Sequence, residues 1–528
     1  MHCPAMTPPA PKPLSPSTHP PVSLEELRAC TDILERLLAD ASVLLDVPEE
    51  DKVAFLRAVG RVTPASREDR QRRSRAEQQA LKEAKRLKDR DTLGQTQIRT
   101  LRRSPVFTAP PRLVGGEATS KGPGRVLETP RACYVCKVEF AQLHFFYDAL
   151  CPPCAELNYA KRFQDAKLAG KTALITGARV KIGYHAALML LRSGARVIVT
   201  TRFPNDAALR YSSEPDFKSW SHRLDIHGLD LRHAPSVELF AQHIANTHDR
   251  LDILINNAAQ TVRRPPGFYS HLSENETRHA TELPLAAQHL LDSHNRCIEP
   301  LRPAKRLHGG GSGLEAPSWR SSDPGLGLHA SAALSQVPYA LEQAGNVSAL
   351  FPKGRLDADL QQVDLRAVNT WRLTLSEVET SEMLEVHLIN AVAPFILCGK
   401  LKPLMLKDRR EPGHIVNVSA MEGSFSRGTK TDKHPHTNMA KAALNMMTLT
   451  SAPDYARGGI FMNAADTGWV TDEDPFLHAE RKQVELDFQP PLDIVDGAAR
   501  IIDPVFTAIR TGEFVWGNFF KDYLPTAW

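Results

Sequence analysis

The chain has 528 residues, of which 42% are hydrophobic and 24% charged, and its net charge is +4 at pH 7. This length predicts either several domains or one domain with large additions. The nearly balanced charge gives no general basis for binding to nucleic acid or membranes. No uninterrupted apolar run approaches the roughly 18 to 20 residues of a membrane helix, and the Pro-rich start lacks the apolar core of a secretory signal. We therefore expect a cytoplasmic protein without a membrane or nucleic-acid partner.

Three segments precede the first cysteine-rich stretch. Residues 1–22 form a Pro-rich tail that we expect to be disordered. A helical region is predicted over residues 23–103, because Ser23 and Glu26 make a capping box and apolar residues follow at helical spacing. A second short helix is predicted over residues 49–59. Residues 104–130 have the Gly/Pro-rich composition of a linker.

The helical region ends in a basic stretch. Between Arg67 and Arg103 there are 13 Lys or Arg residues against 6 Asp or Glu residues. A solvated helix or linker is the simpler interpretation, and contact with an acidic partner is the alternative. No aromatic residues alternate with the charges, which weakens the case for nucleic acid. The N-terminal helices are also candidates for binding a protein partner.

Residues 131–166 contain two pairs of cysteines with the spacing C-x2-C-x14-C-x2-C: Cys133, Cys136, Cys151 and Cys154. Each pair can present two thiolates, and four thiolates complete a tetrahedral zinc site. Because four sulfur ligands leave no open position, we expect a structural Zn²⁺ rather than a catalytic one. A redox role for one CxxC pair is the alternative. The nearby Phe140, Phe145, Phe146 and Tyr147 would fill the core of this small module.

From residue 167 to the C-terminus, apolar runs alternate with amphipathic helical patterns, which predicts an α/β fold with a doubly wound parallel sheet. The alternation is interrupted by an insertion at about 262–366. The domain begins with a strand over residues 173–175, a tight turn, a helix over 182–193 and a second strand over 196–200. A glycine-rich phosphate loop requires this order, because glycine lets the backbone approach a pyrophosphate at the helix N-terminus.

The turn resembles that of the short-chain dehydrogenase/reductase (SDR) family, whose motif is T-G-x3-G-[IL]-G. Here the stretch runs from Thr176 to Gly183, with Lys181 in place of the middle glycine. The resemblance implies a Rossmann fold of the SDR type that binds NAD(P) through Thr176, Gly177, Arg179, Lys181, Ile182 and Gly183.

Further matches follow in order along the chain. "GLDLR" places Asp230 where the family's acidic residue contacts adenine, and "NNAA" aligns Asn257 and Ala258 with the family's NNAG motif. "FMNAADTGWVTDED" resembles the segment after the sixth strand, with Thr467-Gly468 in place of Pro-Gly, and supplies Thr471 as a cofactor contact. The resemblance covers residues 167–261 and 367–528.

The charge at the end of the second strand bears on which cofactor binds. Proteins that bind NAD usually carry an acid there, which hydrogen-bonds the ribose 2′-hydroxyl. This chain has Thr201 followed by Arg202, and arginine attracts the 2′-phosphate of NADP. We therefore predict NADP(H) rather than NAD(H) as the cofactor.

The resemblance also implies a catalytic asparagine, serine, tyrosine and lysine. Asn390 and Lys441 match two of them, and Lys441 is expected to hold the cofactor ribose as well. The serine position aligns more naturally with Ala420, so Ser419 would need a bend or bulge to turn inward. The tyrosine position holds Thr437, whose hydroxyl is a much poorer proton donor than a phenol.

Three substitutes for the tyrosine remain open. Thr437 could orient the substrate oxygen while Lys441 and a water supply the proton. His436 or His434 could act as the acid, since imidazole titrates near neutral pH. Tyr184 could reach in from the phosphate loop.

The sequence thus predicts an NADP-dependent oxidoreductase with an atypical active site, which transfers hydride to or from a small carbonyl or alcohol substrate. A catalytically degenerate, zinc-containing scaffold or sensor that binds nucleotide is the alternative. A lyase or epimerase with a tightly held cofactor is the third interpretation. The family often pairs through the helix that carries the lysine, so a homo-oligomer is also expected.

Overall fold

The structure, a computed structural model, describes residues 22–62, 67–104, 106–107, 124–301, 322–338, 347–407, 411–426, 428 and 430–528. The chain divides into two compact units, residues 1–84 and residues 85–528. The predicted Pro-rich tail up to residue 21, most of the predicted linker and the Gly/Ser/Pro-rich part of the insertion lie outside the described residues.

The described residues form α-helices that we number in chain order. The first ten are α1 Leu24–Ala39, α2 Glu49–Val62, α3 Arg67–Gly94, α4 Gln97–Arg102, α5 Pro152–Lys161, α6 Lys181–Arg192, α7 Pro204–Ser212, α8 Phe217–Trp220, α9 Ala234–Thr247 and α10 Pro266–Thr277. The remaining helices are α11 Leu285–Gln288, α12 Asp292–Ile298, α13 Leu326–His329, α14 Ser331–Leu334, α15 Val347–Leu350, α16 Thr380–His387, α17 Ala393–Met405, α18 Pro435–Ala456, α19 Phe476–Leu486 and α20 Ile494–Thr511.

The strands form two sheets. They are β1 Val126–Ala132, β2 Glu139–Gln142, β3 Thr172–Thr176, β4 Arg196–Thr201, β5 Leu224–Gly228, β6 Ile253–Asn256, β7 Gly413–Ser419, β8 Ile460–Asp466, β9 Phe519–Lys521 and β10 Leu524–Pro525. An antiparallel pair joins β1 to β2, and the large sheet has the order β10-β9-β8-β7-β6-β3-β4-β5. Its strands are parallel from β5 through β9, and only β10 is antiparallel to its neighbour. The predicted doubly wound parallel sheet is confirmed.

In the first unit, α1 begins at the predicted capping box. The backbone N–H of Glu26 donates to Oγ of Ser23 at 3.2 Å, and the Ser23 N–H donates to the Glu26 carboxylate at 2.7 Å. None of the residues of α1 is buried. The second predicted helix is present as α2, which ends at Val62, three residues beyond the predicted 59.

Helices cover both faces of the large sheet, because successive strand residues point to opposite sides. In β3, Ala173 and Ile175 face a core that α6 and α20 complete, whereas Leu174 faces a second core formed with α9, α17 and α18. All three side chains are fully buried. The carboxyl ends of the parallel strands therefore meet at one edge of the sheet, where ligands bind in open α/β folds.

The insertion contributes helices and turns in its described parts, residues 262–301, 322–338 and 347–366. Ile298, Leu301 and Leu328 join the core that α9 lines. Phe268, Tyr269 and Phe351 pack with Phe203, which follows β4. The insertion thus packs on the free edge of the sheet and on the carboxyl end of β4.

The cysteine pairs lie in a module built from β1, β2 and α5. Its core contains the predicted aromatic residues Phe140, Phe146 and Tyr147, with Phe145 partly buried against them. Leu93 and Ile98 complete the same core from the chain before the module. The antiparallel pair begins at Val126, so the first strand of the module starts five residues before the predicted module boundary at 131.

The helical stretch from Thr380 to Met405, which includes α16 and α17, is long and apolar enough to cross a membrane. Its mean hydropathy is 1.4 over 18 residues. The sequence prediction overlooked this stretch because polar residues such as Asn390 and Lys400 interrupt it. Leu397 and Leu401 in this stretch are fully buried in the core beside α9. A core helix meets the same length and hydropathy criteria, and the two leucines belong to such a core.

Candidate active site

The turn between β3 and α6 forms a cradle that excludes side chains. Gly177 has a φ of +69°, and a Cβ added there would lie 2.8 Å from the Cα of Ala258. A Cβ on Gly183 would lie 2.4 Å from both the carbonyl oxygen of Gly177 and Nδ2 of Asn257. Lys181, at the position of the family's middle glycine, has a φ of +57°. The turn therefore keeps a left-handed backbone although the glycine is replaced.

This cradle opens into a cavity of about 520 Å³, here called the loop cavity. The first turn of α6 faces it, and Val180 before that turn provides no side-chain cap for the free N–H groups. Backbone N–H groups at a helix N-terminus bind phosphate. The cavity brings together most of the residues predicted to bind the cofactor: Gly177, Arg179, Lys181, Ile182, Gly183, Arg202, Asp230, Asn257, Ala258 and Thr471.

Thr176 is the predicted cofactor residue that supports the loop cavity from behind. Its hydroxyl oxygen accepts hydrogen bonds from the N–H groups of Asn257 and Ala258, at 3.1 and 3.0 Å. These bonds join the end of β3 to the segment after β6. The cradle is thus held by backbone contacts on both sides.

The two predicted arginines of the loop cavity have different partners. The guanidinium of Arg179 is buried, and it donates to Asp206 and Gln361 at 2.6 Å each. Arg202 donates to the hydroxyl of Tyr269 at 2.7 Å and stacks over that ring at 4.8 Å. Arg202 therefore lies at the end of β4 without a carboxylate partner among the described contacts. Arg179, in contrast, is neutralised by an ion pair.

Asp230 follows β5 by two residues and is fully buried beside the loop cavity. Arg232 donates to its carboxylate at 2.6 Å and to Glu385 at 2.5 Å. Although burial opposes ionisation, the Arg232 guanidinium holds the pKa of Asp230 below its usual value. Asp230 is therefore a hydrogen-bond acceptor in the site, and Arg232 holds its carboxylate in position.

Sequence reasoning missed a set of acids that line the loop cavity, here called the acidic wall: Asp357, Asp364, Asp472, Glu473 and Asp474. The carboxylate of Glu473 accepts from the hydroxyls of Thr471 and Thr261, at 2.7 and 3.3 Å. The charges of Lys181 and Arg264 help to lower its pKa against the opposing effect of burial. The run "TDED" was the sequence signal for this wall.

A second cavity of about 810 Å³, here called the lysine cavity, adjoins the first. The two cavities share Ile182, Asn257, Ala259, Thr261 and residues 471–474. The ammonium of Lys441 lines the lysine cavity and donates to the carbonyl oxygen of Val418 at 2.7 Å. Burial lowers the pKa of Lys441 to about 8.

Asn390 lies outside the lining of both cavities, in a π-helical turn over Leu388–Val392. Its side chain accepts from the N–H of Gln260 at 2.8 Å and donates to the Gln260 carbonyl at 3.1 Å. Gln260 itself lines the loop cavity. Asn390 therefore positions the segment after β6 and does not face a ligand directly.

The structure does not bring His436 or Thr437 into the lysine cavity. Both are buried, and Oγ1 of Thr437 has no hydrogen-bond partner in the described part of the chain. Nε2 of His436 lies 3.8 Å from Glu382, and burial lowers the pKa of this histidine to about 4.

Tyr184 lies outside the lysine cavity as well, because its hydroxyl contacts Glu214 at 2.7 Å. His434 does line the cavity, stacked on Trp371 at 3.8 Å.

Ser419 lines the lysine cavity without a bulge, at the last position of β7. Its neighbour in the parallel register is Asp466, at the last position of β8. Paired residues on neighbouring parallel strands point to the same face, about 5 Å apart. The buried Oγ of Ser419 has no hydrogen-bond partner among the described residues.

Asp466 is a second site residue that sequence reasoning missed. It is buried and lines the lysine cavity with Ser419 and Lys441. Burial, reinforced by the charge of Glu422, raises the pKa of Asp466 to about 6. An acid that titrates near neutral pH can both donate and accept a proton. Its sequence signal was an acid directly after the apolar strand "IFMNAA".

The cysteine module supplies another wall of the lysine cavity. Tyr134, between the first two cysteines, lines this cavity, and its hydroxyl oxygen accepts from the N–H of Trp469 at 2.9 Å. Trp469 follows the Thr467-Gly468 pair after β8. The module is therefore in direct contact with the cavity that contains Lys441.

The four cysteine Sγ atoms lie within 4.8 Å of one another. Those of Cys136 and Cys151 are 3.6 Å apart, and the N–H of Cys151 donates to Sγ of Cys133 at 3.3 Å. Four thiolates about 2.3 Å from a central zinc would be roughly this far apart, so the donor set fits the ion. His144 is not part of this set, because its Nδ1 accepts from the N–H of Phe146 at 3.1 Å.

Comparison with known proteins gives matches on both sides of the insertion. A family model described as short chain dehydrogenase matches residues 171–287, and one described as enoyl-(acyl carrier protein) reductase matches residues 363–483. An uncharacterized protein of Acanthamoeba polyphaga mimivirus is 30% identical over 389 residues, which is 71% of each chain. Human retinol dehydrogenase 13 is 36% identical over 95 residues, which covers 18% of this chain and 28% of that relative.

Solved structures match this chain at low identity. The NADPH-bound carbonyl reductase from chicken fatty liver is 17% identical, covers 68% of this chain and 100% of its own, and has a TM-score of 0.39. The Pseudomonas aeruginosa RhlG/NADP complex is 16% identical, covers 67% and 95%, and has a TM-score of 0.38. The family-model matches, the mimivirus relative and the strand order agree, and the chain belongs to the short-chain dehydrogenase/reductase family.

Proposed function

We propose that this protein is an NADP-dependent oxidoreductase that interconverts a small carbonyl compound and its alcohol. One observation carries the proposal. The loop cavity, with its phosphate cradle, and the lysine cavity, with Lys441, form one continuous cleft at the carboxyl edge of the sheet. A dinucleotide whose pyrophosphate lies at α6 can thus extend past Ile182 toward Lys441. Hydride transfer needs a site for the cofactor and a neighbouring site for the substrate, and the two cavities can supply them.

The preference for NADP over NAD rests on Arg202. It lines the loop cavity at the end of β4, where the adenine-side ribose binds in Rossmann folds. Arginine can donate two hydrogen bonds to a phosphate. Arg179 contributes less than the sequence suggested, because Asp206 neutralises it.

The chemistry that a bound nicotinamide dinucleotide supplies is hydride transfer at carbon. The chain's own residues must then bind the substrate oxygen and provide its proton. We assign the proton to the carboxyl group of Asp466, with Ser419 donating a hydrogen bond to the oxygen and Lys441 supplying positive charge. In the reducing direction the O–H bond of Asp466 breaks and a new O–H bond forms on the substrate. Solvent in the cleft returns the proton.

The cysteine module supports a proposed structural role for Zn²⁺. Cys133, Cys136, Cys151 and Cys154 would complete the coordination, leaving no position for a substrate. Its ion would hold the turn that presents Tyr134 to the lysine cavity. Zinc would therefore shape the substrate site without taking part in the reaction.

A second function, that of a catalytically silent nucleotide sensor or scaffold, is favoured by one observation. Carboxylates line the loop cavity, and although cations pair with Asp364, Asp472 and Asp474, the carboxylate of Glu473 contacts only hydroxyl groups among the described hydrogen bonds and would repel a pyrophosphate. Such a cavity could hold a dinucleotide weakly and release it without turnover.

The proposal is tested on the full-length protein by NADPH fluorescence and by NADPH oxidation across a panel of aldehydes and ketones. We expect NADPH to bind and at least one carbonyl class to be reduced. Binding without reduction of any class would favour the sensor function. Failure of NADPH and NADH to bind would overturn both functions.

Asp466→Asn tests the assigned proton donor. We expect the rate of carbonyl reduction to fall by about 10²- to 10⁴-fold, while NADPH binding is retained. In the unmodified protein, reduction should slow as the pH rises above about 6, where Asp466 loses its proton. The groups that surround this carboxyl and shape its titration are Glu422, Asp522, Arg500, Lys441 and Tyr134.

A measurement without turnover accompanies this test. Infrared difference spectra of the apoprotein between pH 5 and 7 should show a carboxylic acid band that is partly lost in Asp466→Asn, because Glu276 and Glu382, whose pKa values burial raises to about 7, supply the rest of the band. Asp225→Asn, in β5 of the same sheet, is the matched control and should keep the band. If Asp466→Asn reduces the carbonyl substrate at the rate of the unmodified protein, Asp466 is excluded as the proton donor and the proposed function is left intact.

A further inference from the structure

A second group of potential metal ligands lies on the opposite side of the domain from the cysteine module's four thiolates. His227 belongs to β5, His243 to α9 and Cys297 to α12 of the insertion. One ligand atom from each lies within 4.8 Å of the others, and all three residues are buried. These residues are far apart in sequence, so only the packing of the insertion on the edge strand brings them together.

The imidazoles of this group carry unsatisfied ring nitrogens. Nδ1 of His227 and Nε2 of His243 are buried and have no hydrogen-bond partner among the described residues. The exposed fractions of the two residues are 0% and 8%. A buried polar atom left without a partner is unfavourable, because it has lost its hydrogen bonds to water. A ligand that accepts these lone pairs would remove that cost.

A neighbouring side chain holds one imidazole of the group in position. The other ring nitrogen of His227 contacts the hydroxyl of Ser293 at 3.1 Å. A hydrogen bond of this kind orients a ligating imidazole.

A cavity of about 740 Å³ adjoins the group at the free edge of the sheet. His243 and Cys297 line it, together with Ser293, Arg296 and Asp225. Three protein ligands beside an open space match the coordination of a zinc ion that keeps one position for water. The four-thiolate cluster of the cysteine module, in contrast, has no place for such a position.

We propose that His227, His243 and Cys297 form a second metal site, which binds a zinc-class divalent ion and leaves its fourth position open to the edge cavity. Two imidazoles and a thiolate are donors that zinc prefers over magnesium or calcium. Binding releases the thiol proton of Cys297 to solvent, so the ion and the three side chains carry one net positive charge. The ion links the insertion to β5 and α9 of the core.

Metal stoichiometry tests this site directly. Full-length protein purified with Zn²⁺ in the medium should contain two zinc ions per chain by plasma mass spectrometry. Cys297→Ala and His243→Ala should each retain one ion, and Cys136→Ser should lose the other. Cys398→Ala and His414→Asn remove a buried cysteine and a buried histidine outside the group, and both should retain two ions.

A second measurement covers the case in which the variants fold poorly. The native protein is loaded with Co²⁺, and its thiols are alkylated with iodoacetamide in mild denaturant before and after chelation. Cys297 should be protected at least tenfold by the metal, whereas Cys398 should react at the same rate in both states. Unchanged zinc content in Cys297→Ala and His243→Ala, or equal alkylation of Cys297 with and without metal, would overturn the proposal.

Discussion

The loop cavity and the lysine cavity differ in how they tolerate replaced residues. In the loop cavity, Lys181 stands in place of a glycine, yet the cradle keeps its left-handed backbone and its close approach to Ala258. In the lysine cavity, Thr437, which the sequence aligned with the family's tyrosine, lies outside the cavity lining. Phosphate binding depends on backbone N–H groups that many side chains allow, whereas proton transfer depends on one side chain of suitable reach and pKa.

The comparison predicts that function at one cavity can be removed while the other remains. Lys441→Met should lower turnover by about 10²- to 10⁴-fold, because the charge beside the substrate oxygen is lost. NADPH binding should weaken by no more than about tenfold, since the phosphate cradle is untouched. Stopped-flow NADPH oxidation and fluorescence titration measure the two quantities. Lys407→Met, at an exposed lysine two residues after α17, is the control. An equal loss of binding and turnover in Lys441→Met would mean that the two cavities do not act separately.

Asp466 should limit stability as well as supply a proton. Its pKa rises from 3.8 to about 6 on folding, so between these values the folded state holds a proton that the unfolded state has lost. The free energy of unfolding therefore falls as the pH rises through this window, by up to about 3 kcal/mol. Asp466→Asn should be more stable than the parent at pH 8 by a similar amount and equal to it below pH 3.8. Urea unfolding at both pH values checks this prediction, with Asp225→Asn expected to show no such gain.

Arg202→Ala should sharpen the assignment of the loop cavity. We expect NADPH affinity to fall about tenfold, or roughly 1.4 kcal/mol, because a charge-assisted contact to the 2′-phosphate is lost. NADH lacks that phosphate, so its affinity should not change and serves as the internal control in the same titration. An equal loss for both cofactors would place the 2′-phosphate elsewhere.

The smallest predicted effect concerns the acidic wall. Glu473→Gln should raise NADPH affinity about three- to tenfold, because one carboxylate that opposes the pyrophosphate is removed while its contacts to Thr261 and Thr471 can persist. Glu480→Gln changes an exposed acid on α19 and should leave the affinity unchanged. A decrease in affinity for Glu473→Gln would mean that this side chain binds the cofactor instead of repelling it.

Much of the fold followed from local patterns. The capping box at Ser23, the strand–turn–helix order around Gly177 and the aromatic core of the cysteine module are all present in the structure. Each involves residues close together in the chain, where spacing alone determines which side chains share a face. The sequence also identified ten of the residues that line the loop cavity: five belong to the continuous phosphate turn, and five were predicted from the family resemblance and from the charge after the second strand.

The catalytic side was harder to predict because its residues come from separate elements. Alignment favoured Ala420 over Ser419, but the register between β7 and β8 places Ser419 beside Asp466. His436 and Thr437 looked suitable in sequence, yet helix α18 directs both into packed surroundings. Tyr134 was not singled out in the sequence, although it lines the lysine cavity.

By itself, the sequence determined the doubly wound parallel sheet, the phosphate turn and the four-cysteine cluster, since each is specified by periodicity or by spacing within one segment. Only the tertiary structure decided that Asp466 joins Ser419 and Lys441, that carboxylates line the loop cavity, and that His227, His243 and Cys297 meet beneath the insertion. Strand register and the docking of a long insertion bring together residues that are remote in the chain. Their contacts, burial and pKa values arise only when those elements pack.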